Sequence, residues 1–366
     1  MNSKIDNELY GVDEKFTRRL NENVEQEFNI DNLVQAVDVN LNLEENDSVE
    51  TKGLPGYQTF GWKKACDEIN KIYELGVSVI ALRFVSKVED LNKEYHLFEK
   101  QLELIINNID SNVKLIVDPF GLALLPTGQW GVLDEKNKFD YQHTSLLLEK
   151  IGETLSKNKV YGVVTLGRVP EEVALTKRGI EKGGNFTKIF SFSQNSETTT
   201  AYVYLDKPGK QTGQKILPGN SKEMTLWALI DIWCGTDFCV IKPLESYHLM
   251  SLINNLLEDF KNIELFLMNN DVVELYRQNT FVNQCVNEIL NSKEKMMEKC
   301  SKVKLGGYTV SGTTYMLALL AQQKNVEMAR ARLHEMWITA ASAMDSRFAF
   351  IIDRNTKSYL EQTILH

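Results

Sequence analysis

The stretch DFCVIKP, residues 237 to 243, is a short apolar run that ends in a lysine followed by a proline. The stretch VKLIVDPF, residues 113 to 120, closes in the same way, with Asp118 in the position that Lys242 takes. Proline has no amide hydrogen and stops the ladder of a strand, so each run predicts a strand with a charge at its last position. If the strands are parallel, both charges should point into one mouth.

Outward from these two runs, short apolar stretches alternate with segments of helical periodicity from residue 54 onwards. Leu147, Ile151 and Leu155, for example, repeat at intervals of four, as on the buried face of a helix. The other strand candidates are residues 77 to 84, 160 to 166, 188 to 193, 303 to 312 and 347 to 353. The apolar stretch IELFLMNN, 263 to 270, is either a further strand or part of an inserted element.

This alternation is typical of βα units around a parallel sheet. It favours a barrel over a doubly wound nucleotide-binding sheet, because the chain contains neither a G-x-G-x-x-G fingerprint nor a phosphate-binding loop. A barrel with insertions also accommodates 366 residues around one core. We therefore predict an α/β fold, a (β/α)₈ TIM barrel over residues 54 to 366.

The first 53 residues differ from the rest of the chain, since they are polar and acidic and lack strong apolar periodicity. We interpret residues 1 to 53 as an N-terminal arm, which either hangs free or wraps a neighbouring subunit.

Charge and hydropathy limit the partners. The formal net charge of -9 argues against binding to a nucleic-acid backbone, which requires a basic surface. No apolar run approaches the length of a membrane span, and the first residues contain no apolar signal segment. These features predict a cytoplasmic protein. The five cysteines and five histidines show no metal-ligand spacing, although His248, which follows Lys242 closely, is an outside candidate for acid/base chemistry.

Lys242 has two interpretations on pattern alone. A lysine enclosed by apolar strand residues is partly desolvated, which lowers its pKa and leaves some neutral amine to attack carbonyl groups. Alternatively, Lys242 is a surface lysine at a strand end that pairs with Asp118.

A series of local matches, all in one order along the chain, resembles porphobilinogen synthase, also called 5-aminolevulinate dehydratase. LPGYQTFG at 54 to 61 is similar to the family's opening M-P-G motif. DPFGLALLPTGQWGVL at 118 to 133 has the length of its zinc loop, D-x-C-x-C followed by G-H-C-G. The remaining matches are FSFSQN at 190 to 195 with M-S-Y-S-A-K, VIKPLESY at 240 to 247 with V-K-P-x-x-P-Y, and YTVSG at 308 to 312 with Y-x-V-S-G. The resemblance covers about 54 to 360, apart from an apparent insertion at about 260 to 302.

The resemblance implies that half of a two-substrate site is retained. In the family, two lysines hold two aminolevulinate molecules and a metal activates bond formation. Lys242 matches the lysine that binds one substrate as a Schiff base, and Asp118 matches the aspartate that opens the metal loop. Tyr308 and Ser311 match groups near that substrate's carboxylate, and Gln214 matches the family's glutamine.

The resemblance also implies that the other half is lost. The second lysine falls on Asn195, a carboxamide that does not form an imine. The three cysteine ligands fall on Phe120, Leu122 and Trp130, which do not coordinate metals. Within 163 to 172 the Ser-Asp pair of the S-D-x-M-D-G-R segment is absent. The two carboxylate-binding arginines fall on Leu205 and near Lys210, and Trp130 either stacks on a substrate or plugs the vacated space.

Two functions remain open at this point. The first is a metal-independent lyase that needs no cofactor and forms a Schiff base through Lys242 with a small keto acid or amino ketone, and then condenses, dehydrates or rearranges it. The second is a catalytically silent paralogue that acts as a ligand sensor or an oligomer subunit. In either case the family resemblance implies a homo-oligomer held by the N-terminal arm.

We expect the purified protein to contain no stoichiometric zinc, because the residues at the family's three ligand positions offer no ligand atoms. Elemental analysis measures this directly. Stoichiometric zinc that is lost together with activity on chelation would contradict the expectation.

Overall fold

The structure, a computed structural model, describes residues 28–51, 54, 56–86, 90–119, 121–123, 130–136, 138–196, 216–323 and 325–361. The strands of this part are β1 (Leu33–Asn40), β2 (Ser48–Glu50), β3 (Gln58–Phe60), β4 (Val79–Val85), β5 (Lys114–Asp118), β6 (Val132–Leu133), β7 (Phe139–Asp140), β8 (Gly162–Thr165), β9 (Lys188–Ser191), β10 (Phe238–Ile241), β11 (Lys304–Tyr308) and β12 (Phe348–Asp353). The helices are α1 (Trp62–Glu74), α2 (Leu91–Asn108), α3 (Tyr141–Lys157), α4 (Glu172–Gly183), α5 (Ser221–Cys234), α6 (Tyr247–Leu256), α7 (Phe260–Leu267), α8 (Asn270–Arg277), α9 (Thr280–Leu290), α10 (Lys293–Lys302), α11 (Ser311–Gln322), α12 (Val326–Met344) and α13 (Thr356–Leu360).

Eight parallel strands of the described chain close into a barrel in the order β1, β4, β5, β8, β9, β10, β11 and β12. β12 pairs back with β1, Leu33 lying opposite Ile351, and this pairing closes the sheet. The short antiparallel pair of β2 and β3 extends from the carboxyl end of β1. The predicted TIM barrel is confirmed, and all seven strand candidates of the sequence contain a barrel strand. Within the described residues, no helix is long and apolar enough to cross a bilayer.

The eighth strand corrects the predicted domain boundary. β1 lies within the residues assigned to the N-terminal arm, yet it sits in the barrel wall between β4 and β12. Its sequence, LVQAVDVN, hides the strand because Gln35 and Asp38 interrupt the apolar run. Both polar side chains have partners: Gln35 donates to the Arg354 carbonyl at 2.9 Å and accepts from the Lys357 amide at 2.7 Å. Residues 1–27 of the predicted arm lie outside the described residues.

The stretch 263 to 270 belongs to helices, which decides between the two interpretations of that segment. Phe260, Ile263 and Leu267 recur at helical spacing on the buried side of α7. The segment opens the predicted insertion, in which α7 to α10 follow one another and share one apolar core with α5.

The barrel interior is filled by aromatic rings. Phe190 stacks on Phe238 with ring centroids 4.4 Å apart, and Phe350 packs 5.4 Å from Phe238. Two inward positions carry glycine to make room for these rings. A methyl group on Gly162 would lie 2.2 Å from the Phe190 ring, and one on Gly306 would lie 2.5 Å from the Phe350 ring. The rings of Phe190, Phe238 and Phe350 therefore form an apolar layer beneath the mouth, which we call the aromatic floor.

Replacing Gly162 with alanine is expected to lower the free energy of unfolding by about 1 to 3 kcal/mol, the usual cost of overpacking a core. The Phe190 ring cannot move aside, because Phe238 and Phe350 pack against it. Gly219→Ala is the matched control, since a methyl group there meets no atom within 4 Å. Denaturant unfolding measures both variants, and equal stability for the two would contradict the packing argument.

Candidate functional site

The mouth of the barrel, at the carboxyl ends of the strands, carries a ring of polar side chains. Side chains alternate between the two faces of a strand, so a residue two places beyond an interior residue points into the mouth. Asp38 follows Ala36 of β1 in this way, and Arg354 follows Ile352 of β12. The mouth residues, all less than a tenth exposed, are Asp38, Arg83, Asp118, Lys242, Tyr308 and Arg354. Asp118 and Lys242 thus lie at the same end of the barrel.

Tyr308, at the end of β11, lies near most of the charged members of this ring. Burial raises the pKa of its phenol to about 12, while Arg354 and Arg83 oppose the rise and Asp38 and Asp118 add to it. Charges from four strand ends therefore act on one hydroxyl group, which stays protonated near neutral pH.

Lys242 directly follows β10 and is buried against aromatic rings. Its Nζ lies 4.9 Å from the ring centre of Tyr308, and Phe192 packs edge-on against the same ring at 5.7 Å. The Lys242 amide donates to the Gln194 carbonyl at 3.2 Å, and the Lys242 carbonyl accepts from the Ser196 amide at 2.8 Å. The lysine is therefore held by its backbone while its amine is shielded from bulk water.

Asn195 lies next to Lys242, with which it forms an isolated parallel bridge. Phe190 pairs with Phe238, so five steps along the β9 segment match four steps along β10 before the bridge. Such a bulge re-aims a side chain at the rim of a barrel. Both side-chain amide atoms of Asn195 are buried and have no hydrogen-bond partner within the described residues. A polar group that cannot form an imine thus stands beside the lysine.

Asp38 and Arg83 form a buried ion pair across β1 and β4. Nε of Arg83 donates to Oδ1 of Asp38 at 2.9 Å, and Nη2 contacts Oδ2, so the pair is bidentate. Such forked pairs are the strongest and most specific arrangement of arginine with a carboxylate. Both charges are therefore satisfied by each other.

Arg354, which follows β12, has different surroundings. Its guanidinium lies over the rings of Tyr57 and Tyr308, at 5.5 and 5.3 Å from their centres. Its Nη1 makes a long contact of 3.4 Å to the Thr309 carbonyl, and its Nε is buried without a hydrogen-bond partner in the described chain. Tyr57 itself donates to the Ala36 carbonyl at 3.1 Å.

Ser311 is buried at the first position of α11, just past Tyr308. The N-cap, Val310, supplies no side-chain hydrogen bond to the first turn. Helix N-termini of this kind attract anions through their amide groups. Ser311 therefore begins the helix that follows the strand ending at Tyr308, and a contact of either residue with a substrate carboxylate stays a prediction.

Two of the positions that match the family's zinc ligands, Leu122 and Trp130, are buried among packed side chains. Leu122 is fully buried in the core between helices and sheet. Trp130 is also buried, and the Arg168 guanidinium lies 4.1 Å from its ring centre. Arg168 in turn forms a buried ion pair with Glu172, which also accepts from the Leu166 amide at 2.9 Å. These residues do not fit a zinc ion, and Trp130 stacks on an arginine of its own chain.

The remaining predicted residues contribute nothing further to the described mouth. Phe120, Leu205, Lys210 and Gln214 lie outside the described residues. His248 is exposed on α6 and is not one of the buried residues of the mouth, so its acid/base role stays a prediction. No group of three or more His, Cys, Asp or Glu side chains that could hold a metal occurs within the part of the chain that the structure describes.

Three mouth residues were not anticipated from the sequence: Asp38, Arg83 and Arg354. Asp38 and Arg83 interrupt apolar runs, and Arg354 follows one after Asp353, but none is followed by the proline that marks Asp118 and Lys242. The feature of the sequence that indicates all of these mouth residues is a charge near the carboxyl end of a strand, with or without a following proline.

Comparison with known proteins supports the fold. No protein-family model matches the chain, and no curated protein matches it. Among solved structures, the chain is similar to delta-aminolevulinic acid dehydratase (porphobilinogen synthase) from Toxoplasma gondii ME49, determined in complex with the reaction product porphobilinogen. The TM-score is 0.68 at 18% sequence identity, over 93% of this chain and 86% of that chain.

A second solved structure, orotidine 5'-phosphate decarboxylase from Lactobacillus acidophilus, has a TM-score of only 0.34 at 10% identity, over 90% of this chain and 96% of that chain. That TM-score is too low to indicate a shared fold. The first similarity, at its low identity, establishes a shared architecture: this chain and the dehydratase are TIM barrels of the same fold.

Proposed function

We propose that this chain is an enzyme of the lyase type, a diverged relative of porphobilinogen synthase, in which Lys242 forms a Schiff base with a small keto acid or amino ketone resembling aminolevulinate. The burial of Lys242 at a barrel strand end, 4.9 Å from the Tyr308 ring centre, carries the proposal. A lysine with no role in chemistry normally extends its ammonium group into water, because burying a charge is costly. An enclosed amine is the form of lysine that attacks carbonyl groups.

The chemistry begins when the amine nitrogen attacks the carbonyl carbon. The carbonyl oxygen leaves as water, taking both amine hydrogens in the overall balance, and an imine forms without oxidation or reduction. A protonated imine weakens the neighbouring carbon–hydrogen bond, and a nearby carboxylate can accept that proton. Asp118, on the same mouth, is our candidate for this base. Condensation, dehydration or rearrangement would each follow from this step.

We propose that this reaction uses no zinc in the mouth. Leu122 is packed into the core and Trp130 is covered by Arg168, so these two positions of the metal loop offer no ligand atoms. Charge at the mouth comes from the side chains of the strand ends. We therefore assign no step to a metal.

The proposal includes one covalent substrate, because Asn195 stands where the family's second lysine would be. Lys210 and Gln214 remain proposed contacts for a substrate carboxylate. We further propose a cytoplasmic homo-oligomer that is held by the N-terminal segment and acts in a biosynthetic pathway. Support for these points comes from the resemblance and the composition of the chain.

We expect borohydride, added to the protein together with aminolevulinate or a related keto acid, to trap one substrate mass on the peptide that contains Lys242. The reduction fixes the imine as a stable amine, which mass spectrometry locates. Lys242→Ala should abolish the adduct, whereas Lys304→Ala, which changes an exposed lysine at the start of β11, should retain it. Folded protein without an adduct from any tested keto acid or aldehyde would favour a silent paralogue.

We expect Ser311→Ala and Tyr308→Phe to weaken binding of a carboxylate-bearing substrate by about 1 kcal/mol, the scale of one lost hydrogen bond. Imine trapping at saturating substrate should persist, because Tyr308→Phe keeps the ring beside Lys242. Substrate concentration dependence of the trapped fraction measures the effect. Ser301→Ala, at an exposed position of α10, is the control, and an equal effect there would refute the assignment.

A further inference from the structure

The buried arginines near the mouth fall into two groups. Arg83 is paired with Asp38, and Arg168 is paired with Glu172, so each guanidinium has a carboxylate of its own chain. Arg354 is equally buried but forms no ion pair with a described residue, and its Nε has no hydrogen-bond partner there. Because burying a charge without a counter-ion is costly, Arg354 is a candidate for binding an anionic ligand.

Arg354 also borders a cavity. The space bounded by β1, β3, α1 and α13 has a volume of about 370 Å³, and Tyr57 and Arg354 are among its lining residues. Its charged lining residues comprise four cations and two carboxylates, namely Arg354, Lys64, Lys71, Lys357, Glu68 and Glu361. Lys357 is already paired with Glu68 at 2.6 Å. The cavity therefore has a surplus of positive charge with a buried guanidinium in its wall.

The Tyr308 ring lies close to both this guanidinium and the amine of Lys242, the proposed reactive lysine. Nζ of Lys242 lies 4.9 Å from the Tyr308 ring centre and Cζ of Arg354 lies 5.3 Å from it, so the two atoms are at most about 10 Å apart. A substrate that joins the two groups would contain an imine bond to Nζ, two methylene groups and a carboxylate. With a hydrogen bond of about 2.9 Å from the guanidinium to the carboxylate, the extended path from Nζ to the guanidinium is about 9 Å long. A small keto acid is therefore long enough to reach from one group to the other.

We propose that Arg354 binds the carboxylate of the substrate whose carbonyl group reacts with Lys242. This inference rests on the proposed function and narrows its substrate class to monocarboxylic keto acids with a short chain between the two groups. The planar guanidinium matches a carboxylate in both geometry and charge, whereas a neutral ketone has no carboxylate to bind it.

The test measures binding without requiring imine formation. Levulinate, which has two methylene groups between its carbonyl and carboxylate, is titrated by calorimetry into full-length Lys242→Met protein. We expect saturable binding that Arg354→Met, added to this background, weakens by about 10- to 100-fold, as for lost hydrogen bonds to a charge. Arg354→Lys should restore part of the affinity. Arg332→Met, which changes an exposed arginine on α12, should leave the affinity unchanged.

A neutral probe separates charge recognition from general loss of the site. 2-Pentanone carries a methyl group in place of the levulinate carboxylate, so we expect its trapping by borohydride on Lys242 to be the same in wild type and Arg354→Met. Absence of saturable levulinate binding, or equal levulinate affinity with and without Arg354, would overturn the inference.

Stability measurements exclude a purely structural role. Arg354→Met should unfold at the same denaturant concentration as wild type or higher, whereas Arg83→Met leaves Asp38 buried alone and should unfold earlier. An equal loss of stability in both variants would overturn the inference. If levulinate binding depends on Arg354 but no adduct forms on Lys242, the proposed function fails while the inference about Arg354 stands.

Discussion

The hydrogen bonds between β1 and β12 close the sheet, and the rest of the molecule depends on that closure. With Leu33 opposite Ile351 and Gln35 opposite Asp353, the first and last strands become neighbours. A closed barrel has no unpaired edges, and its inward side chains reach solvent only at the two ends. Charged residues at inward positions are consequently stable only near an end of the barrel. The closure also brings Asp38 and Arg354, far apart in sequence, into one mouth.

The aromatic floor decides how those charges behave. Phe190, Phe238 and Phe350 fill the interior below the mouth, so the polar ring rests on an apolar layer. Charges in such surroundings interact strongly, and an unpaired one is expensive. The Asp38–Arg83 pair is stable under this constraint because each member satisfies the other. Arg354 lies against two aromatic rings and forms no ion pair within the part of the chain that the structure describes, which is the basis for proposing that it binds an anion.

The positions at which the chain departs from the motifs that it resembles lie among packed side chains. Leu122 lies in the apolar core, Trp130 carries the Arg168 guanidinium on its face, and Asn195 lies at the bulge beside Lys242. Around Tyr308, by contrast, charged groups from other strands gather, among them Arg354 and Asp38. The described mouth therefore combines packed positions with a cluster of buried charges.

The sequence alone determined the class of fold and the strand ends that carry Asp118 and Lys242, because buried parallel strands leave a local record in apolar runs closed by proline. It did not reveal β1, since Gln35 and Asp38 break the apolar pattern and their partners lie on β4 and around Arg354. It left 263 to 270 open, because a short apolar run suits a helix as well as a strand until its neighbours are known. Only the tertiary structure decided that Asp38 pairs with Arg83 while Arg354 lies by Tyr57 and Tyr308 and forms no ion pair with a described residue. Contacts of this kind join residues from tens to hundreds of positions apart, and a local pattern holds no trace of them.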